Sequence, residues 1–153
     1  MPRKRARTGF EKHVSRADGI IAHVVATHLW IEHLLIRSLA AVLPRPDAIF
    51  RRRPPSFAAL VDLSEALEVV APDFADVLRR VNALRNKFAH RISFEPEAEE
   101  IRALQKSLRD MKSPFLISLV PPSKREMMIA LASISGYLER RARELGAKDI
   151  DGY

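Results

Sequence analysis

Residues 85–90 carry the side chains of this chain that are best suited to chemistry. They read arginine, asparagine, lysine, phenylalanine, alanine and histidine. An imidazole has an ordinary pKa near neutrality, so it can accept a proton from a ribose 2′-hydroxyl. A guanidinium is a permanent cation whose forked N–H groups match phosphate oxygens and can stabilise a phosphoryl transition state. Arg85, Asn86 and His90 are therefore candidates for metal-free phosphate chemistry on RNA.

The segment closes a helix that the apolar spacing predicts over residues 72–90. Its buried side is predicted to contain Phe74, Val77, Leu78, Val81, Leu84 and Phe88. At about 100° per residue, Arg85 falls within about 40° of the centre of this apolar stripe. A cation there needs a carboxylate, a phosphate or a polar cavity to face.

Two interpretations of Arg85 remain open at this point. In the first, a core-edge carboxylate such as Glu65 or Glu32 neutralises it, and His90 and Lys87 only favour the helix C-terminus. In the second, the arginine is available to a ligand.

A polar flank of the same helix contains Arg79, Asn82, Asn86 and His90 beside the apolar stripe. Residues five positions apart on a helix diverge by about 140°, so one Arg85–His90 pair is poorly placed to close on a phosphate. A two-fold dimer that sets this flank against its copy would supply both residues twice to one cleft. We therefore expect a homodimer.

The net charge of +7 and the pI of about 10.2 indicate a polyanionic partner, for which RNA is the expectation. The excess is concentrated in the N-terminal residues 3–7 and at Arg51, Arg52 and Arg53. Together with Arg79 and Lys87, which flank the catalytic candidates, the arginines at 51–53 are the predicted nucleic-acid contacts. The alternative is that these charges are solvated loops and tails.

Several other classes of site are not expected. The chain has no cysteine, which excludes disulfides and thiolate metal sites. His23, His28 and His33 are five residues apart, whereas zinc ligands on one helix normally lie four apart, so we predict no metal. No cofactor is predicted, since no phosphate-binding glycine loop is present. No uninterrupted apolar run is long enough for a bilayer and no secretory signal is evident, so a cytoplasmic protein with no membrane contact is expected.

The remaining pattern predicts an all-α protein, a four- to five-helix up-and-down bundle. A long helix is expected over residues 18–43, with Trp30 in the core or an interface. A proline-rich loop follows at 44–55, and then helices at 57–70, 72–90, 96–111 and 124–145. Ser56 and Ser123 are predicted N-caps and Gly146 ends the last helix. Residues 1–15 are expected to be a basic flexible arm, 16–145 the helical domain and 146–153 a tail; no conformation is predicted for 113–122.

The chain resembles the HEPN superfamily. The resemblance lies in Arg85, followed by the polar Asn86 and then by His90, at the end of the third long helix of an all-α chain. It covers residues 16–145. The stretch 30–46, taken with residues 85–90, is also similar to small bacterial proteins near the mannitol-operon repressor family.

The resemblance implies a dimer with the motif at its interface and a metal-independent endoribonuclease that leaves a 2′,3′-cyclic phosphate. In that role His90 is the general base or acid, Arg85 stabilises the oxyanion and Asn86 orients them. Toxin–antitoxin modules and phage defence are the implied settings, with an antitoxin as a possible protein partner. The alternative is a non-catalytic HEPN-like regulator or binding protein.

Overall fold

The computed structural model describes residues 19–51, 53–90, 98–110 and 123–149. These residues form helices without any strand. The helices are α1 (Gly19–Val42), α2 (Asp47–Phe50), α3 (Phe57–Ala66), α4 (Pro72–His90), α5 (Ala98–Asp110) and α6 (Lys124–Glu144). The all-α prediction is confirmed, and α2 is an additional helical turn inside the predicted loop. The predictions for the N-terminal arm, for Arg52, for the start of the predicted helix at residue 96 and for the segment 113–122 lie outside the described residues.

Helix α1 is the centre of the packing. It contacts α6 most extensively and also packs on α3 and α4, while α5 joins α4 to α6. Trp30 is buried and its Nε1–H donates to Glu139 Oε1 on α6 at 3.1 Å. Two residues before Glu139 on α6, the Tyr137 ring lies 4.3 Å from the Phe74 ring on α4. Of the two locations predicted for Trp30, the core and an interface, the structure shows the core.

By length and composition, α1 is also apolar enough to cross a membrane. The sequence was expected to contain no such segment, because histidines and other polar residues interrupt the apolar run of this helix. Buried core helices and N-terminal signal sequences meet the same criterion. In this fold, the buried side chains of α1 already pack against other helices.

Local caps set the helix ends where the sequence predicted them. The Ser56 hydroxyl accepts from the Ala59 N–H at 3.3 Å, and the Ser123 hydroxyl accepts from the Glu126 N–H at 3.2 Å. Helix α6 ends with Gly146 at φ +75°, where glycine has no steric penalty. These three predictions are confirmed.

Helix α3 is shorter than its apolar spacing predicted, since it ends at Ala66 and not at residue 70. Glu68 has a φ of +57°, and its N–H donates to the Glu65 carbonyl at 3.0 Å. The Val69 N–H donates to the Ser64 carbonyl at 2.8 Å. This pair of bonds is a Schellman ending with a glutamate in the left-handed position.

We predict that Glu68→Gly raises the free energy of unfolding by about 0.5–1 kcal/mol. An L-residue in the left-handed region costs about 1–2 kcal/mol, and glycine's extra freedom in the unfolded chain offsets part of that gain. The measurement is chemical denaturation followed by circular dichroism. Gly146→Ala is the matched opposite change and should destabilise, since a Cβ at Gly146 meets nothing within 4 Å and only the backbone conformation opposes it. A loss of stability in Glu68→Gly would contradict the assignment.

Candidate functional site

The candidate residues lie along one edge of α4. Pro72 begins the helix without needing an N–H, and the Asp73 carboxylate accepts from the Phe74 N–H at 2.9 Å. Leu84 and Phe88 are buried and hold the C-terminal half of the helix on the core. The helix therefore has an apolar side that packs on the core and a polar edge that is accessible to solvent.

Arg85 lies on this edge, half-buried beside Leu84. Its Nη1–H donates to Asn86 Oδ1 at 3.2 Å. Within the described residues, no carboxylate lies in ion-pair distance of Arg85. The interpretation in which Glu65 neutralises Arg85 is wrong, because Glu65 accepts from Arg79 at 2.5 Å, and no ion pair joins Arg85 to Glu32 in the described structure either. The guanidinium charge is therefore not compensated within the described fold.

Arg79 lies in the opposite situation. Its guanidinium donates to Asp62 at 2.8 Å, to Glu65 at 2.5 Å and to Asp76 at 2.9 Å. These bonds, Asp62 first, raise the pKa of Arg79 above its usual range. Through these contacts Arg79 links α3 to α4. A phosphate that bound Arg79 would have to compete with three carboxylates.

Lys87 forms an ion pair with Glu100 and so links α4 to α5. Arg79 and Lys87, the two cations predicted to flank the catalytic candidates, therefore both have acidic partners in the fold. Arg85, which lies between them in sequence, has Asn86 instead.

His90 is the last residue of α4 and is exposed. Within the described part of the chain it forms no hydrogen bond, and no contact joins it to Arg85. Asn86 is also exposed and lies one helical turn before His90. One copy of the chain therefore presents Asn86 and His90 on the exposed side of α4 and Arg85 nearer the core, and it does not bring the two ends of the motif together.

The structure adds His28 to this region, together with Asn82, which was predicted to lie on the polar flank of the helix but was not a candidate site residue. The His28 ring is buried, is stacked on Phe57 at 4.0 Å, and has Nε2 3.1 Å from Asn82 Oδ1. Arg85 acts electrostatically on the same ring. The apolar neighbours of His28 on α1 indicate burial, but only the packing of α1 on α3 and α4 brings it to Asn82.

The other α1 histidines do not join this group. His33 stacks on Trp30 at 5.4 Å between ring centroids, and His23 is buried. No cluster of three or more potential ligands for a metal ion is present among the described residues.

The basic loop lies between α1 and α3. Arg45, Arg51 and Arg53 are exposed, and Arg52 lies outside the described residues. A depression of about 660 Å³ in this loop is lined by Pro44, Arg45, Pro46, Asp47, Ala48 and Arg51. The loop continues into Phe57, the residue that stacks on His28. The basic loop and the α4 edge are thus joined through the Phe57–His28–Asn82 contacts.

No family model, curated protein or solved structure matches this chain. Its function is therefore inferred from its own side chains. Arg79 is held by three carboxylates, whereas Arg85 is held by one amide oxygen. Of these two arginines, Arg85 is therefore the one that is better able to bind an anionic ligand.

Because His23 and His28 are buried, we predict that the free energy of unfolding decreases in acid. Burial lowers the pKa of His28 below its ordinary 6.5; the Asn82 hydrogen bond opposes this shift and the charge of Arg85 adds to it. Burial also lowers the pKa of His23. Between the folded pKa and 6.5 the unfolded chain binds protons that the folded chain does not, so the free energy of unfolding falls as the pH falls through this window.

Chemical denaturation at about pH 8 and about pH 5.5 measures this dependence. His28→Gln removes one of the two groups, so its free energy of unfolding should fall less between these pH values than that of the wild type. An unchanged pH dependence in the variant would contradict the assignment.

Proposed function

We propose that the chain is a metal-independent endoribonuclease of the HEPN type that acts on RNA as a homodimer in the cytoplasm. The observation that carries the proposal is Arg85, a half-buried arginine that no described carboxylate neutralises. A partly desolvated cation without a counter-ion favours the binding of an anion. Asn86 and His90 on the same edge add an orienting amide and an imidazole.

The reaction that these groups suit is an internal transesterification. His90 accepts the proton of a ribose 2′-hydroxyl, and the 2′-oxygen attacks the adjacent phosphorus. Arg85 stabilises the negative charge on the non-bridging oxygens, held in place by its bond to Asn86 Oδ1 at 3.2 Å. The bond from phosphorus to the 5′-oxygen breaks, that oxygen takes up a proton from water, and His90 returns the proton it accepted to the solvent. The products are a 2′,3′-cyclic phosphate and a 5′-hydroxyl.

A dimer supports this reaction for a geometric reason. Residues five apart on a helix diverge by about 140°, so the Arg85 and His90 of one copy point away from each other. A two-fold axis that places the α4 edge against its copy would bring the Arg85 of one chain towards the His90 of the other. A protein that covers this edge, such as an antitoxin or a regulator, would inhibit the enzyme. We therefore propose that the chain acts as a toxin or in phage defence.

The test incubates the purified full chain with RNA and with DNA of the same sequence, in excess chelator. We expect cleavage of the RNA alone, with a terminal cyclic phosphate detected by mass spectrometry. Cleavage of both strands, or cleavage that stops when chelator is added, would contradict the proposal.

Binding without cleavage is the second candidate function, and the exposed basic loop favours it. RNA that is bound but left intact would support a regulator that uses Arg51 and Arg53. Each of these arginines that contacts a phosphate should then contribute about 0.7 to the slope of log K against log salt on a single strand. Arg51→Ala and Arg53→Ala would lower that slope, whereas His90→Ala would leave binding unchanged.

A further inference from the structure

The His28 ring is held by two contacts, one with a residue of α3 and one with a residue of α4. Its ring is 6% exposed and is stacked on Phe57 with an interplanar angle of 28°. Its Nε2 lies 3.1 Å from Asn82 Oδ1, and since a carbonyl oxygen only accepts, Nε2–H is the donor. Stacking and the hydrogen bond together determine both the plane of the ring and its tautomer.

Asn82 lies close to Arg85 on α4. The two residues are three positions apart on α4, so their side chains are neighbours on the helix surface. His28 holds the amide of Asn82, and Asn86 Oδ1 accepts from Arg85 Nη1. The other N–H groups of the guanidinium have no acceptor within the described structure and are not among its fully buried unsatisfied atoms. They are therefore open to solvent.

We propose that His28 is a positioning residue of the ribonuclease site: through Asn82, its uncharged ring confines the Arg85 guanidinium so that its free N–H groups face an incoming phosphate. This inference rests on the proposed function for the identity of the phosphate as RNA. The contacts of His28, Asn82 and Arg85 do not depend on whether the phosphate belongs to RNA.

The charge of His28 matters because it faces a cation. From α4 the ring meets Asn82 and the charge of Arg85, and from α3 it meets Phe57. The α3 acids Asp62 and Glu65 hold Arg79. Neither His28 nor Arg85 forms an ion pair with a carboxylate among the described residues, although Glu32 lies four residues after His28 on α1. A proton on His28 therefore adds a second positive charge near Arg85, and the two cations repel each other. Positioning should fail in acid for this reason.

The first test follows the titration of the His28 ring by NMR in the full chain, with His28→Gln used to assign its signal. Arg85→Gln should shift the midpoint upward, because it removes a neighbouring cation. Arg80→Gln is the matched control, since Arg80 is an exposed arginine on the same helix and should leave the midpoint unchanged. A midpoint that Arg85→Gln does not move would overturn the proposal.

The second test titrates the Arg85 Nε–H signal with inorganic phosphate. His28→Ala and Asn82→Ala should each weaken phosphate binding about three-fold or more, and His28→Gln, which can still donate to Asn82, should restore most of it. If His28→Ala does not fold, Asn82→Ala decides the question. Unchanged phosphate affinity in a folded Asn82→Ala chain would overturn the proposal.

The third test is the rate of RNA cleavage at about pH 8, where the chain is at its most stable. A folded Asn82→Ala chain should cleave RNA about three-fold more slowly or worse, in step with its loss of phosphate affinity, and His28→Gln should keep most of the wild-type rate. An unchanged rate in folded Asn82→Ala would overturn the proposal. If the wild-type chain leaves RNA intact, the proposed function fails, while the His28 titration and the phosphate affinities still decide the role of His28.

Discussion

Arg85→Ala will lower the rate of RNA cleavage by about 10²–10³-fold, the loss typical when one stabiliser of transition-state charge is removed. The guanidinium is half-buried and no described carboxylate shares its charge, so its interaction with a phosphate is weakened little by competing partners. Alanine is the strongest helix former and Leu84 and Phe88 still hold α4 on the core, so the fold should persist. Initial rates on end-labelled RNA, in excess chelator, measure the effect.

Arg80→Ala is the matched control for this experiment. It removes the same charge from an exposed position on the same helix, outside the predicted site. Its rate should stay within about two-fold of the wild type, since a distant surface charge has a small effect on the reaction. Equal losses in Arg80→Ala and Arg85→Ala would show that net charge and not the site controls cleavage.

His90→Ala should lower the rate by about 10²–10⁴-fold through loss of the general base. Mixing it with Arg85→Ala then tests the dimer. Each mixed dimer keeps one arginine and one histidine from different chains, so we expect cleavage to return when subunits exchange. If subunits exchange and activity does not return, the two residues act within one chain and the dimeric site is wrong.

Trp30→Ala should lower the free energy of unfolding by about 3–5 kcal/mol. Trp30 is 2% exposed and lies where α1 packs most extensively, against α6. The variant also deprives the buried Glu139 of the indole N–H that it accepts at 3.1 Å. Because small domains are stable by only about 5–15 kcal/mol, a substantial part of the total would be lost. Circular dichroism is the measurement, since Trp30 is the only tryptophan of the chain and the variant has no indole fluorescence.

Leu29→Ala is the neighbouring control on α1. Leu29 is 43% exposed, so its truncation should change the free energy of unfolding by only about 0.5 kcal/mol. Trp30→Phe keeps an aromatic ring and loses the donor to Glu139, and it should fall between the two. Equal effects of Leu29→Ala and Trp30→Ala would contradict the packing of α1 on α6.

The sequence predicted the helices well because their ends depend on neighbouring residues. Ser56 and Ser123 cap backbone N–H groups only three residues away, and Gly146 needs only its own backbone freedom. The apolar spacing of α4 likewise predicted that Leu84 and Phe88 are buried and that Asn86 and His90 lie on the polar side. The end of α3 was missed because Glu68 adopts a left-handed conformation that its residue type disfavours.

By itself the sequence determined the all-α class, the helix that carries Arg85, Asn86 and His90, and the order in which that helix presents them. Only the tertiary structure decided that Arg79 takes the carboxylates and that Arg85 has none among the described residues. It also brought His28 to Asn82, 54 residues away along the chain. Helical periodicity indicates which side of a helix a residue occupies. The ion pairs that the residue forms depend on which neighbouring helix faces that side, and the packing between helices determines that neighbour.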